Sequence, residues 1–240
     1  MSDARPVVAI ADVHGRADLL GAMLEAVECD LPDARVVMLG DATDRGPDVP
    51  ATMRMVMEVP DRFPGSTVLL GNHENWLLET AAGDAQSWDL WRTWGGTPTL
   101  RQYGIDPDLP PAAMAHALEE TLADLLAFLR ARPRFLVGEG VAEGMFFAHA
   151  GVDPLVPFAE QDERDLFWIR EPFLSWPHEL ERLVVHGHTI VTEPVTLPHR
   201  IGLDTGAYHS GVLSALLLEP EGGRRLMQAR EGAGVAFGTL

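Results

Sequence analysis

The chain has 240 residues, 46% hydrophobic and 22% charged, with a formal net charge of -18. That balance describes an ordinary globular α/β unit with a sizeable core, and the acidic excess excludes a nucleic-acid surface, which needs a basic stripe against phosphates. One cysteine, Cys29, excludes an intramolecular disulfide, and neither a secretory leader nor a run of ~18 apolar residues is present, so a cytoplasmic protein away from membranes is expected.

Val7 to Ala11 is a short apolar run that predicts a strand, and Leu19, Leu20, Met23, Leu24 and Val27 form a helical stripe within Arg16 to Cys29. Val36 to Leu39 predicts a second strand. Pro47 to Val59 predicts a helix, its prolines near the first turn, where a missing N–H costs little. Val68 to Leu70 predicts a third strand, followed by a helix from about His73 that Gly83 would close. This alternation implies mostly parallel strands covered by helices. Between Gly83 and Pro111 the pattern fails around Trp88, Trp91, Trp94, Gly95 and Gly96. The stretch reads either as an irregular insertion or lid, or as aromatics filling a core between helices. Ala112 to Arg132 predicts one long helix with Leu118, Leu122, Leu125, Leu126 and Leu129 on one face, stopped by Pro133. Strands are then expected at Phe135–Val137, Met145–Ala148, Leu183–Val185, Ile201–Leu203 and Val212–Leu218, with no linker or charge block to divide residues 1–240 into two domains.

Five polar clusters stand where apolar runs end: Asp12-Val13-His14-Gly15, Gly40 to Gly46 (with Asp41, Asp44 and Arg45), Gly71-Asn72-His73-Glu74, His149-Ala150-Gly151 and His186-Gly187-His188-Thr189. Ligands of open α/β sheets gather beyond the carboxyl ends of strands, so these segments are expected to converge. Asp12 and His14, two apart on extended backbone, point the same way and can grip one cation. Asp41 offers a carboxylate able to bridge two. Asn72 and His73 fall at a helix start, where free N–H groups favour anions. Oxygen and nitrogen donors without thiolate suit manganese, iron or zinc better than calcium. Two such ions about 3.5–4 Å apart can clamp a phosphoryl group, and Arg45 offers bidentate recognition of its oxygens. Taken singly, the aspartates read as turn or helix caps and the histidines as core residues. Their joint occurrence in this order points to a metal site.

These clusters resemble the signature of the metallophosphoesterase superfamily and, within it, the phosphoprotein phosphatase family in its bacterial serine/threonine form. The likeness runs from Asp12 to Thr189, and the tract from Asp204 to Ala207 resembles the family's C-terminal end. It implies an α/β sandwich of two mixed β-sheets flanked by helices, and two divalent ions, manganese first with iron or zinc as alternatives. It assigns Asp12, His14 and Asp41 to one ion, and Asp41, Asn72, His149 and His188 to the other. The implied reaction is removal of phosphate from phosphoserine or phosphothreonine proteins by a metal-bridging hydroxide. His73 would protonate the leaving group, oriented by Asp44, while Arg45, Asn72 and Arg170 would bind phosphate. Tyr208 is a weaker candidate for a residue over the site.

Two departures stand out. Ala11 replaces the family's usual glycine, and His186 is extra, able to serve as a further ligand, although His188 fits the family's pattern of glycine before and threonine after. A relative, symmetrical dinucleoside tetraphosphatase, typically has alanine where Asp44 stands, aspartate where Glu74 stands and no threonine after the last histidine. This chain differs at all three places, which favours the protein phosphatase over a nucleotide hydrolase. A non-catalytic scaffold is the third reading, but no expected ligand is missing. His116, His178, His199 and His209 lack ligand partners in sequence and read as structural or exposed.

Overall fold

The computed structural model describes residues 4–240. The chain runs β1 (Val7–Ile10), α1 (Ala17–Asp30), β2 (Arg35–Met38), α2 (Val49–Arg62), β3 (Thr67–Val68) and α3 (Asn72–Ala81). It continues through α4 (Ala85–Trp91), α5 (Thr97–Gln102), α6 (Pro111–Thr121), α7 (Ala123–Arg130), β4 (Phe135–Val137), β5 (Met145–Ala148) and α8 (Glu163–Trp168). The last elements are β6 (Leu183–His186), β7 (Val195–Leu197), β8 (Arg200–Gly202), α9 (Ala207–Ser210), β9 (Val212–Leu218), β10 (Arg224–Arg230) and β11 (Gly234–Thr239).

The strands form two mixed sheets, ordered β11-β10-β9-β1-β2-β3 and β4-β5-β6-β8-β7. In the first, β1, β2 and β3 are parallel, with Val8 opposite Val36 and Met38 opposite Val68, while β9 returns antiparallel and sets Leu217 beside Val8. In the second, β5, β6 and β8 are parallel. Strand alternation explains the packing. Val7, Ala9 and Ala11 meet Phe147, Val185, Ile201 and Leu216 between the sheets. Val8 and Ile10 face the other way, into a core with Leu20, Met23 and Val56 of α1 and α2. On the outer side of the second sheet, Phe146 and Val184 pack under Leu166 and Phe173. Strands covered on both faces read as unbroken apolar runs, as β1 and β5 do.

Of the two readings of the stretch between Gly83 and Pro111, that of aromatics in a core between helices holds, and two other expectations need correction. Residues 85–102 are helical, with Trp88 and Trp91 in the core. Asp84 caps α4 by accepting the Ser87 N–H at 2.7 Å, and Trp88 and Trp91, three apart, are buried on one face. Gly95, at φ 137°, interrupts the helical backbone before α5 and hides the pattern from a periodicity reading. The long helix from Ala112 is two helices, α6 and α7, because Leu122 leaves helical geometry at φ -118° and ψ 24°. Leu122 N–H still reaches Leu118 O, and Leu126 N–H reaches Leu122 O, both at 2.8 Å, so the break stays short, and both halves pack against α3. Finally, β7, β10 and β11 are strands that the sequence pattern did not predict. No helix among the described residues is long and apolar enough to cross a membrane.

Candidate metal centre

The loops after β1, β2, β3, β5 and β6 end on one floor between the sheets. Five non-glycine residues with left-handed backbone occur among the described residues: His14, Asp41, Asp44, Arg45 and His188, with φ between 45° and 70°. Such conformations persist where surrounding contacts dictate them and cluster at functional sites. Glu74 supplies part of that dictation. Its buried carboxylate accepts the N–H groups of Asp41, Ala42, Thr43 and Gly71 at 2.8–3.0 Å, tying the loop after β2 to the start of α3.

Two groups of donor atoms share Asp41. His14, Asp41 and His73 form one, and Asp41, His149 and His188 the other, the atoms of each lying within 4.8 Å of one another. His14 Nδ1–H donates to Thr43 O at 2.7 Å and His149 Nδ1–H to Leu39 O at 2.9 Å. These bonds fix the ring orientation and turn each Nε2 inward, 3.5 and 3.4 Å from Asp41 Oδ2. Asn72 Oδ1 meets His149 Nε2 and His188 Nδ1, both at 2.9 Å. Asp12 belongs to neither group: its carboxylate accepts the His188 N–H at 3.0 and 3.2 Å, and a Cβ on Gly187 would collide with it. His186 turns away from the centre, with Nε2 3.3 Å from Arg200 and its ring against Phe173, so His188 is the residue that joins the cluster.

The electrostatics suit cations. Burial, together with Asp204 and Asp41, pushes the Asp12 carboxyl well above its usual range. Burial would raise Asp41 as well, but His149 and His73 hold it well below. Burial pushes His14 down to about 3, and neutral imidazole is the form that binds a metal. Burial would also lower His149, yet Asp41 prevails and lifts it to about 10. Carboxylates crowded out of water in this way demand positive charge, from protons or from metal ions. His188 Nδ1, 2.9 Å from Asn72 Oδ1, is the nitrogen of that ring turned towards the cluster. The donor set therefore fits divalent cations.

Within the first group, His73 Nδ1–H donates to Asp44 Oδ2 at 2.6 Å, and His73 Nε2, 3.9 Å from Asp41 Oδ2, accepts from Arg45 at 3.0 Å. The Arg45 guanidinium also lies 4.9 Å over the Tyr208 ring, which stands edge-on to His14. All of this floors a cleft of about 1240 Å³ whose walls include Trp94, Trp168, Arg164 and Arg170. Arg170 is exposed and makes no side-chain hydrogen bond or ion pair among the described residues, leaving its guanidinium available to a ligand. Sequence reasoning gave no role to Glu74, Trp91, Thr99 or Arg164. Only Glu74 carried a local signal, its position three residues after Gly71 at a helix start.

Residues 5–193 match the family model described as calcineurin-like phosphoesterase. The chain is 25% identical over 218 residues to serine/threonine-protein phosphatase 2 of Salmonella typhimurium, covering 88% of this chain and 91% of that protein. It is 31% identical over 160 residues to the symmetrical bis(5'-nucleosyl)-tetraphosphatase of Klebsiella pneumoniae strain 342, spanning 65% of this chain and 48% of that one. Among solved structures, one provisionally described as a diadenosine tetraphosphatase superposes with a TM-score of 0.66 at 22% identity, over 95% of this chain and 96% of the other. A cold-active protein tyrosine phosphatase gives 0.62 at 18% identity, over 97% and 78%. Both structural likenesses establish the fold.

Proposed function

The chain belongs to the calcineurin-like phosphoesterase family and so is a metallophosphoesterase that hydrolyses phosphoesters, and from that premise we propose that it is a serine/threonine phosphatase acting on phosphoproteins. The carrying observation is the His73–Asp44 pair at 2.6 Å: His73, although it stands among the donors that share Asp41, is engaged by a carboxylate that belongs to neither donor group. A serine or threonine alkoxide must be protonated as it leaves. The nucleoside phosphate released from a dinucleoside tetraphosphate is a far better leaving group, so a buried, oriented acid favours the alkyl monoester.

His14, Asp41 and neighbouring Asp12 would hold one divalent cation, and Asp41, Asn72, His149 and His188 the second, manganese being our first choice for these nitrogen and oxygen donors. When bound, such a pair supplies Lewis acidity to the phosphoryl group and lowers the pKa of water from about 15.7 towards about 7. The protein's own residues do the rest. At the start of α3 the N–H groups of Gly71 and His73 already donate to Glu74 and Asp41, at 2.9 and 3.0 Å, and so fix those carboxylates. Arg45, Arg170 and Asn72, which line the same cleft, bind the phosphoryl oxygens. In the ligand-free geometry Arg45 donates to His73 Nε2, so that nitrogen acts as an acceptor. An incoming phosphate draws the guanidinium off, and His73 Nε2 is then free to carry the proton it gives to the leaving oxygen. Burial opposes that proton, but Asp41 and Asp44 raise the His73 pKa above its ordinary value. The net charge of -18 makes this local cluster of arginines and cations the attraction for an anionic substrate.

Symmetrical dinucleoside tetraphosphate hydrolysis is the second reading. The relative from Klebsiella pneumoniae and a cleft large enough for a nucleotide, walled by Trp94 and Trp168, favour it. Turnover of a phosphoserine peptide and of diadenosine tetraphosphate, measured side by side, separates the two. Preferential cleavage of the peptide is expected, and exclusive cleavage of the nucleotide would overturn the proposal.

A further inference from the structure

The tryptophan-rich segment, which reads in sequence as either lid or core, sends two of its side-chain donors to a single residue. Asp44 is fully buried, and four groups donate to its carboxylate. His73 Nδ1–H and Trp91 Nε1–H share Oδ2 at 2.6 and 2.7 Å. Thr99 Oγ1–H and Thr43 Oγ1–H share Oδ1 at 2.5 and 3.4 Å. Two of these donors, Trp91 and Thr99, come from α4 and α5, 47 and 55 residues further along the chain.

The backbone between α4 and α5 is shaped for the same purpose. A five-residue π-type turn, residues 92–96, separates the two donors. At its centre, a Cβ on Gly95 would stand 3.1 Å from Arg45 Cγ and 3.2 Å from Asp44 Cβ, at a φ of 137° that side chains rarely adopt. A Cβ on Gly96 would lie 2.5 Å from the Trp91 ring. The glycine pair therefore lets the turn lie directly on Asp44, Arg45 and the indole. Gln102, the last residue of α5, adds a second fastening: its Nε2–H donates to Gly46 O at 3.0 Å and its Oε1 accepts the Val49 N–H at 2.7 Å. The loop held in this way contains the left-handed Asp44 and Arg45, a geometry that does not maintain itself.

We propose that Trp91 and Thr99 are positioning residues for catalysis: their hydrogen bonds to Asp44 fix the carboxylate that orients His73, so the α4–α5 segment holds the general acid in line as well as walling the cleft. This inference rests on the reading of His73 as the acid. Without the indole N–H or the hydroxyl, one oxygen of Asp44 loses its strongest neutral donor, the carboxylate rotates, and His73 Nε2 leaves the line to the departing oxygen. A misplacement of that kind slows the step in which a proton is transferred and leaves substrate binding unchanged.

The test compares two small aryl phosphates with the metal-loaded protein. p-Nitrophenolate leaves readily without a proton, whereas phenolate, whose parent resembles the tyrosine phenol with a pKa of about 10, needs one. Thr99→Val keeps the shape and removes only the donor, whereas Trp91→Phe removes the donor together with the five-membered ring of a fully buried indole, so a fall in Tm is expected for it alone. Each is expected to lower kcat on phenyl phosphate by about tenfold, to change kcat on p-nitrophenyl phosphate by less than about twofold, and to leave KM near wild type, with Tm near wild type for Thr99→Val; Thr99→Ser should restore the wild-type ratio. An equal loss on both substrates, with or without a fall in Tm, or no loss on either, would overturn the inference. His73→Asn is run on the same pair. If it shows no preference for the better leaving group, the assignment of the acid has failed. If it does and the Trp91 and Thr99 variants do not, only the positioning role has failed.

Discussion

The floor of the cleft and its tryptophan-bearing wall were built by different rules. The floor collects Asp41, Asn72, His73, His149 and His188 from the ends of separate strands, each a short polar cluster after an apolar run. The wall is α4, a π-type turn and α5, and its key side chains look like core aromatics and an ordinary threonine. Chemistry on the floor is therefore local in sequence, while chemistry on the wall exists only through contacts about fifty residues away. The floor should accordingly determine whether the protein works at all, and the wall how well and on what.

Removing bound metal sets the upper limit of the floor's effect. Dialysis against a chelator should abolish phosphatase activity, and readdition of a divalent ion should restore it, because the remaining residues supply no nucleophile of their own. Activity that survives exhaustive chelation would contradict this assignment. Arg45→Lys tests the hinge between the two regions, since Arg45 belongs to a floor cluster yet lies under Gly95 and over Tyr208. Losing the planar, bidentate guanidinium should cost about ten- to a hundredfold in kcat/KM on phosphomonoesters. A change of less than twofold would place phosphate recognition elsewhere. Trp94→Ala is the mildest. This residue is 57% exposed at the rim of the cleft, so Tm should shift little and kcat on phenyl phosphate should stay near wild type, while KM for a phosphopeptide should rise a few-fold. A large fall in Tm would instead make Trp94 a packing residue.

Much of the floor was legible because its signals are short-range: a strand predicted by Val7 to Ala11 or Met145 to Ala148, then a polar cluster at its end. The meeting of those clusters followed from the rule for ligands in α/β sheets. Other features escaped for physical reasons. The break at Leu122 leaves no mark in the leucine stripe, because both helices turn their leucines to the same core. The strand β10, with its arginines at both ends and Gln228 within, is specified by pairing with β9 and β11 rather than by its own pattern. The choice of His188 over His186 rests on the flanking glycine and threonine and holds in the structure. The alternation of β6 sends His186 to the outer face with Phe173, whereas the left-handed backbone at His188 turns it back towards Asn72. Trp91 and Thr99 carried no sequence signal at all, since nothing nearby in the chain marks Asp44 as their partner.

The two donor groups joined through Asp41 carry the whole account, and elemental analysis of the protein after saturation with manganese and removal of free ion tests them directly. Two ions per chain are expected for the wild-type protein, and fewer than one for a folded Asp41→Asn variant. A single ion in the wild type, or an unchanged pair in the variant, would contradict the shared centre.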